Sequence, residues 1–600
     1  MSPPDKTESH APDRKSFNSL SSAEPQIPFE PSNKISSQDE KPQSHQGNQQ
    51  ESANDPKEDE SNPKGPAFDK EAQENYKPKT LKFWLIILSV FAAMFLVALD
   101  RTIIATAIPQ ITNDFQSLGD IGWYGSAYML TTAAFQLIFG RIYRFYPLRT
   151  TFLVCILLFE IGSAICGAAP NSVAFIIGRA IAGIGSAGIM TGSMMSIVPM
   201  IPLHKRPMFQ SMFGMVFGIS SVVGPLLGGA FTQHATWRWC FYMNLPVGIV
   251  ASVFLFFFLH ISPKKHEPVP ILKHITRLDP LGTFFFVPSM ICLILALQWG
   301  GSTYPWGNWR IILLFVLFAL TAFVFALIQI KMPETATVPA KVITQRTMLA
   351  CAWTMLFVGG GMMIVVYYLP LWFQATKGAK PVDSGIYTIP LVLSLVVASI
   401  LSAAFTQRIG YYVPSMLICP CIMAIGEGLL TTLKPDTGSS HWIAYQFLVG
   451  FGLGLGMQTS GLAVQATLPK EDIPIGISIT FFAQQLGGAI FVSVGQTVLN
   501  GLLAKHLSDI PNLTPKKIVD AGATELNKIV PAEYMPLVKD AYNIAITRIF
   551  FVSLALTLAQ LICALGVEWK SIKPKTESSP EAGNSGSTGV KAGRVMTDDI

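Results

Sequence analysis

Charge is scarce in this 600-residue chain: Asp, Glu, Lys and Arg make up 13% of it, while half of the residues are hydrophobic. That balance excludes an ordinary soluble globular protein. It gives no sign of nucleic-acid binding either, because the lysines and arginines fall between apolar runs. Cys155, Cys166, Cys240, Cys292, Cys351, Cys419, Cys421 and Cys563 all lie inside apolar segments, with neither a disulfide framework nor zinc spacing. Cys419-Pro420-Cys421 reads as small-residue packing, and no metal or cofactor is expected. No GxxxxGK[ST] stretch exists, which argues against an ATP-driven motor in the chain. No nucleophile, metal or cofactor constellation gathers at a common depth, which argues against an enzyme. The N-terminus lacks a basic-then-apolar start with a cleavage site, so the first membrane helix is expected to do the targeting.

Long apolar runs are what the sequence has in their place. At roughly 20 residues per crossing, fourteen spans are expected near 82–109, 122–142, 149–169, 172–198, 208–231, 238–260, 280–299, 310–330, 348–373, 384–405, 413–432, 441–466, 474–500 and 543–566. The class is an all-α polytopic membrane protein. Residues 1–80 and 570–600 are polar and poor in aromatics, and are expected to be disordered tails.

The even count puts both tails on one side. Arg141, Arg144, Arg149, Lys205, Arg206, Lys264, Lys265, Lys273, Arg277, Lys331, Lys341, Arg346, Arg408 and Lys470 fall in one set of short connections, and the alternate set is poorer. By the positive-inside rule the first set and both tails are expected to be cytoplasmic. Trp123, Trp237, Trp239, Trp299, Trp306, Trp309, Trp372 and Trp442 near outer ends, and Trp84 and Trp569 near inner ones, agree with these boundaries. The one long outer loop, 501–542, carries the sequon Asn512-Leu513-Thr514 followed by Pro515, a glycosylation candidate.

Ionisable residues inside spans are costly and mark function by default. With the first span ending near Pro109, Asp100 lies ~13 Å below the outer boundary, Glu160 of the third span ~13 Å, and Arg179 of the fourth ~10 to 12 Å. One level therefore holds two acids and an arginine that offers both a partner. The arrangement suits either a packing ion pair or a carboxylate that exchanges a proton as a cavity alternates between sides. Burial and a neighbouring arginine act on such a carboxylate in opposite directions. Arg101, Gln136, Gln446, Gln458, Gln484 and Gln485 are candidate cavity residues. Glu427 joins them, although its depth of ~8 Å reads slightly better as a rim charge.

Gly218, Gly224, Pro225, Gly228 and Gly229 interrupt the fifth span, and suit either close packing or a mechanical role. The glycines at 450, 452, 454 and 456, and those at 183, 185 and 188, read as packing faces.

At this point the residues resemble the major facilitator superfamily, specifically its fungal fourteen-helix drug:proton antiporter family. The resemblance rests on Leu99-Asp100-Arg101-Thr102 with Ala107-Ile108-Pro109, on Gly178 to Gly185 around Arg179, and on Gly218 to Gly229. Trp237-Arg238-Trp239 through Pro246, Phe159-Glu160-Ile161-Gly162-Ser163, Ala483 to Ala489 and Ala521-Gly522-Ala523-Thr524 extend it over nearly all of 81–569. One departure is Gly140-Arg141-Ile142-Tyr143-Arg144, where the superfamily usually has an acid at the last position. The usual cytoplasmic charge pair built on that acid is not expected to form.

The resemblance implies a six-helix bundle over 81–261, an inserted helix pair within 262–346, and a second bundle over 347–569. It implies alternating access and export of a small amphipathic compound, a secondary metabolite, toxin or drug, in exchange for protons. In this reading Asp100 carries the proton, Arg179 modulates it and Glu160 supports them. The protein is expected to work as a monomer in the plasma membrane, without ATP or nucleic acid. Uptake or vacuolar transport of siderophores or basic amino acids, and a non-transporting receptor, are the alternatives.

Overall fold

A membrane core offers the backbone no water, so spanning segments must satisfy their hydrogen bonds internally. In the computed structural model, which describes residues 68–117, 120–259, 276–301, 303–507 and 530–573, helices dominate accordingly. Asn512 and the Ala521–Thr524 stretch lie outside the described residues, as does most of each tail.

The long helices are α1 Leu81–Phe115, α2 Ile121–Phe145, α3 Leu148–Ala168, α4 Ser172–Ile197 and α5 Arg206–His234. They continue with α6 Trp239–Phe258, α7 Pro280–Trp299, α8 Trp309–Lys331, α9 Arg346–Lys377 and α10 Val382–Ile409. The last four are α11 Val413–Leu430, α12 Ser439–Thr467, α13 Ile473–His506 and α14 Met535–Ala564. Thirteen of them are long and apolar enough to cross a membrane, and α2, with 25 residues, packs among them as a fourteenth. Local chemistry sets the ends. The Asn171, Asp279 and Asn308 side chains accept from the first-turn amides of α4, α7 and α8. Proline occupies the first turn of α5, α7, α11, α13 and α14, where no amide is needed.

Several expected boundaries move. The first helix runs through Pro109 to Phe115; a proline near a helix end loses one hydrogen bond, too little to stop an otherwise apolar segment. The long outer loop is shorter than 501–542, because α13 continues to His506 and α14 begins at Met535. α6 is broken at Met243, α10 at Thr388 and α12 at Met457 and Gln458. Within the stretch expected to be a disordered tail, Phe68–Asn75 is helical, and Asn75 donates to the Pro199 carbonyl at 3.1 Å. At the other end, Ile572 is buried and its amide donates to Gly410 at 2.9 Å.

The helices form two six-helix bundles plus an inserted pair. In the first, α1 packs on α5 and α6, α4 on α2 and α3, and α3 on α6. The second repeats the plan: α9 packs on α13 and α14, α12 on α10 and α11, and α11 on α14. The bundles meet where α2 faces α13 and α5 faces α10, while α8 pairs with α7 and α7 leans on α2 and α13. Glycines carry the tight crossings. A Cβ on Gly185 would strike the Phe159 backbone across α3 and α4, and one on Gly452 the Met423 backbone across α11 and α12.

Candidate functional site

α1 presents Asp100 to α4, where Arg179 donates through Nη1 to Oδ2 at 2.6 Å. Both side chains are at most 1% exposed. Arg179 is held from two further directions: its Nε donates to the Tyr124 carbonyl at 2.9 Å, and its guanidinium lies 4.4 Å from the Tyr128 ring centre. Asp100 Oδ1 has no hydrogen-bond partner. The pair is thus fixed on the arginine side and left with one open acceptor on the acid side.

Glu160 does not share that arginine. It is buried between α3 and α6, its carboxyl seated where a Cβ on Gly248 would stand, and neither oxygen has a hydrogen-bond partner. The expectation that Arg179 serves both acids is therefore corrected: it donates to Asp100 and to the Tyr124 carbonyl, while the carboxyl of Glu160 is seated beside Gly248 without a hydrogen-bond partner. Nor is Glu427 a rim charge. It is fully buried between α11, α14 and α9, accepts from Ser553 Oγ at 2.5 Å and lies 3.5 Å from the space beside Gly361. Neither Gly248 nor Ser553 stands out in the sequence, because each matters only through the helix opposite.

The polar candidates divide. Gln136 and Gln446 are buried inside their bundles, the former donating to Thr191 Oγ1 at 2.7 Å. Gln458 lines a small cavity between α5, α10 and α12, with Gln210 and Ser399 among its neighbours. Arg101, Gln484 and Gln485 are half-buried at mid-length of α1 and α13, where Arg101 Nη2 reaches Gln485 Oε1 at 3.4 Å across the bundle interface. Below them α13 is buried without a break from Asp472 to Phe481; beyond them half-buried positions predominate up to Val498. α13 is thus less tightly covered from the level of Arg101 onward.

The fifth-helix glycines serve two partners. Gly224 and Gly228 lie against Thr102 and Thr106 of α1, within the first bundle, while Gly218 faces Val396 and Val392 of α10, across the interface. Gly229 faces open space, and α5 is continuous through Pro225.

On the face from which α1 starts, here the tail face, the bundles are pinned together. Arg144 pairs with Asp472 at 2.8 Å, and Lys341 reaches the same carboxylate at 3.2 Å. Nearby, Arg206 donates to Gln465 at 3.3 Å, and a Cβ on Gly140 would strike Ser478. The arginine at the usual acidic place thus makes a bond of reversed polarity with an acid at the start of α13, where a helix N-terminus favours negative charge. Arg141 beside it is buried and grips the backbone carbonyls of Arg277, Glu334 and Ala336. Asp279, at the start of α7, accepts from Gln329, from both Thr337 donors and from the Gly282 amide, all within 3.0 Å. The inserted pair is thereby tied to the same face.

With this geometry in hand, comparison with known proteins is specific. The family model described as Major Facilitator Superfamily matches residues 90–492. The "MFS-type efflux pump MFS1" of Arthroderma benhamiae is 50% identical over 497 residues, covering 82% of this chain and 93% of its own. The "Efflux pump aflT" of Aspergillus parasiticus is 47% identical over 512 residues, covering 84% and 99%. Among solved structures, the human organic anion transporter MFSD10 superposes with a TM-score of 0.52 at 14% identity, over 79% of this chain and 99% of that one. A likeness at that identity speaks for the fold alone. Sequence and bundle plan converge, and the chain belongs to the Major Facilitator Superfamily.

Proposed function

We propose that the chain exports small amphipathic organic compounds in exchange for protons, by rocking its two bundles about a central cleft. The observation that carries the proposal is the Asp100–Arg179 pair: an acid with one unpartnered oxygen, buried next to the residue that bridges the bundles. A charge at that depth is stable while paired, and protonation of the acid would release the arginine. Coupling follows if the two bundle arrangements differ in whether that release is permitted. Relatives named as efflux pumps, close to half identical over most of the chain, support the outward direction. The tail face is then cytoplasmic, in keeping with its basic connections, and the plasma membrane is the site of action. The chain works as a monomer and without ATP.

The driving force is sufficient. One proton moving through ~100 mV supplies about 2.3 kcal/mol, roughly a fifty-fold gradient of a neutral compound, before any pH difference is added. The test is a proteoliposome assay with an imposed pH gradient and candidate metabolites, run beside Asp100→Asn. The wild type is expected to accumulate substrate against its gradient and the variant to equilibrate it passively or not at all. Gradient-driven accumulation by the variant would remove Asp100 from the coupling.

A further inference from the structure

The transport reading leaves Arg101 without a task, and its surroundings assign one. Asp100 and Arg179 neutralise each other inside the first bundle. Glu160 turns away from the cleft toward Gly248, and Glu427 is enclosed with Ser553 in the second bundle. Arg101 alone among these five faces the opposite bundle. Adjacent to Asp100 but about 100° around the helix, it is half-buried and hydrogen-bonds to the neutral Gln485, through a 3.4 Å contact at the long end for a hydrogen bond. No carboxylate pairs with it among the described residues. A guanidinium has five donors, is always charged, and when withdrawn from water calls for an anion, best one with two oxygens that match its fork. Gln485 beside it carries no charge that would repel such a group.

We propose that the cleft selects compounds bearing an acidic oxygen group, a carboxylate, phenolate or enolate, and that Arg101 anchors that group. This rests on the transport reading of the cleft and narrows its substrate class. The competing role is a neutral strut, in which Arg101 merely ties α1 to α13 through Gln485. The two differ in what happens when Gln485 is removed. A strut fails, whereas an anchor keeps its donors and gains a free one.

The experiment uses the full-length protein in lipid nanodiscs and three probes on one scaffold: 1-pyrenebutyrate, its methyl ester and 1-pyrenebutylammonium. The wild type is expected to bind the acid about tenfold more tightly than either other probe. Arg101→Gln should lose about that factor for the acid alone, Arg101→Lys should recover part of it, and Gln485→Leu should retain it. Equal binding of the three probes, binding of none, or equal loss of the acid in Gln485→Leu and Arg101→Gln overturns the assignment. Melting temperatures of the variants separate lost binding from lost fold. Proteoliposomes then distinguish the two readings. Selective binding of the acid without movement under a pH gradient would sink the export reading and leave Arg101 as its anchor. Gradient-driven movement of the ester or the amine as fast as the acid would sink the acid preference and leave export standing.

Discussion

In the first bundle Asp100 meets a guanidinium at 2.6 Å; in the second, Glu427 meets no cation and takes a hydroxyl hydrogen from Ser553 at 2.5 Å. Both acids are fully buried and both sit in bundles built on one helix-pairing plan. The difference lies in what removal of the acid leaves behind. Neutralising Asp100 strands a buried arginine, which is severely unfavourable. Neutralising Glu427 strands only a hydroxyl, which an amide oxygen satisfies equally well. Repetition of the fold therefore does not carry repetition of the electrostatics, and it is to the bundle with the ion pair that the function proposed above assigns the proton.

The most severe test of that contrast is Asp100→Asn. It is expected to destabilise the protein by ~3–5 kcal/mol, seen as a large drop in melting temperature, and to abolish gradient-driven flux. Adding Arg179→Gln should restore most of the stability and none of the flux; a stable single variant would show that the pair is not a closed electrostatic unit. Next in size comes Gly248→Ala. Its methyl group would occupy the place of the Glu160 carboxyl, an overpacking cost of ~1–3 kcal/mol. Glu160→Ala in the same chain should relieve it, and additive losses would mean the two do not compete for space.

A smaller effect is expected on the tail face. Asp472→Asn removes the negative charge that Arg144 and Lys341 share and one of its two acceptor oxygens, and should favour separation of that face by up to ~1 kcal/mol, since the cations are partly exposed. Spin labels on Arg149 and Lys470 would report it as a gain in the longer of two distances; an unchanged distribution would deny the bonds any part in closure. The smallest change is expected for Glu427→Gln, under ~1 kcal/mol in stability and little in flux. A loss as large as that of Asp100→Asn would erase the contrast between the bundles.

Much of the fold was legible in the sequence because lipid demands long apolar helices and punishes charge within them. The same demand marked Asp100, Glu160, Arg179 and Glu427. Spacing along the chain gave depth, and depth brought Asp100 to the level of Arg179. It could not give azimuth: which of two acids at one level faces the arginine depends on helix rotation, and the answer came out as Asp100 alone. Helix ends were blurred because proline and polar residues near a terminus do not stop a helix that neighbours support, as Pro109 shows. Asp472, between Glu471 and the Ile473-Pro474 start of α13, was legible only as a helix entry. Its partners Arg144 and Lys341 lie more than a hundred residues away, and nothing local announces them.

The grip of Arg141 has a consequence of another kind. It holds main-chain oxygens of Arg277, Glu334 and Ala336, and any amino acid presents those same atoms. Two of those oxygens, on Glu334 and Ala336, belong to the segment between α8 and α9, which, apart from the buried Ala336, is free to change its letter at the point of contact without losing hold. It is not free to change its count. One residue added or removed would carry the oxygens out of reach, so insertions and deletions there should be rarer among relatives than substitutions: the connection is measured by Arg141 rather than read by it.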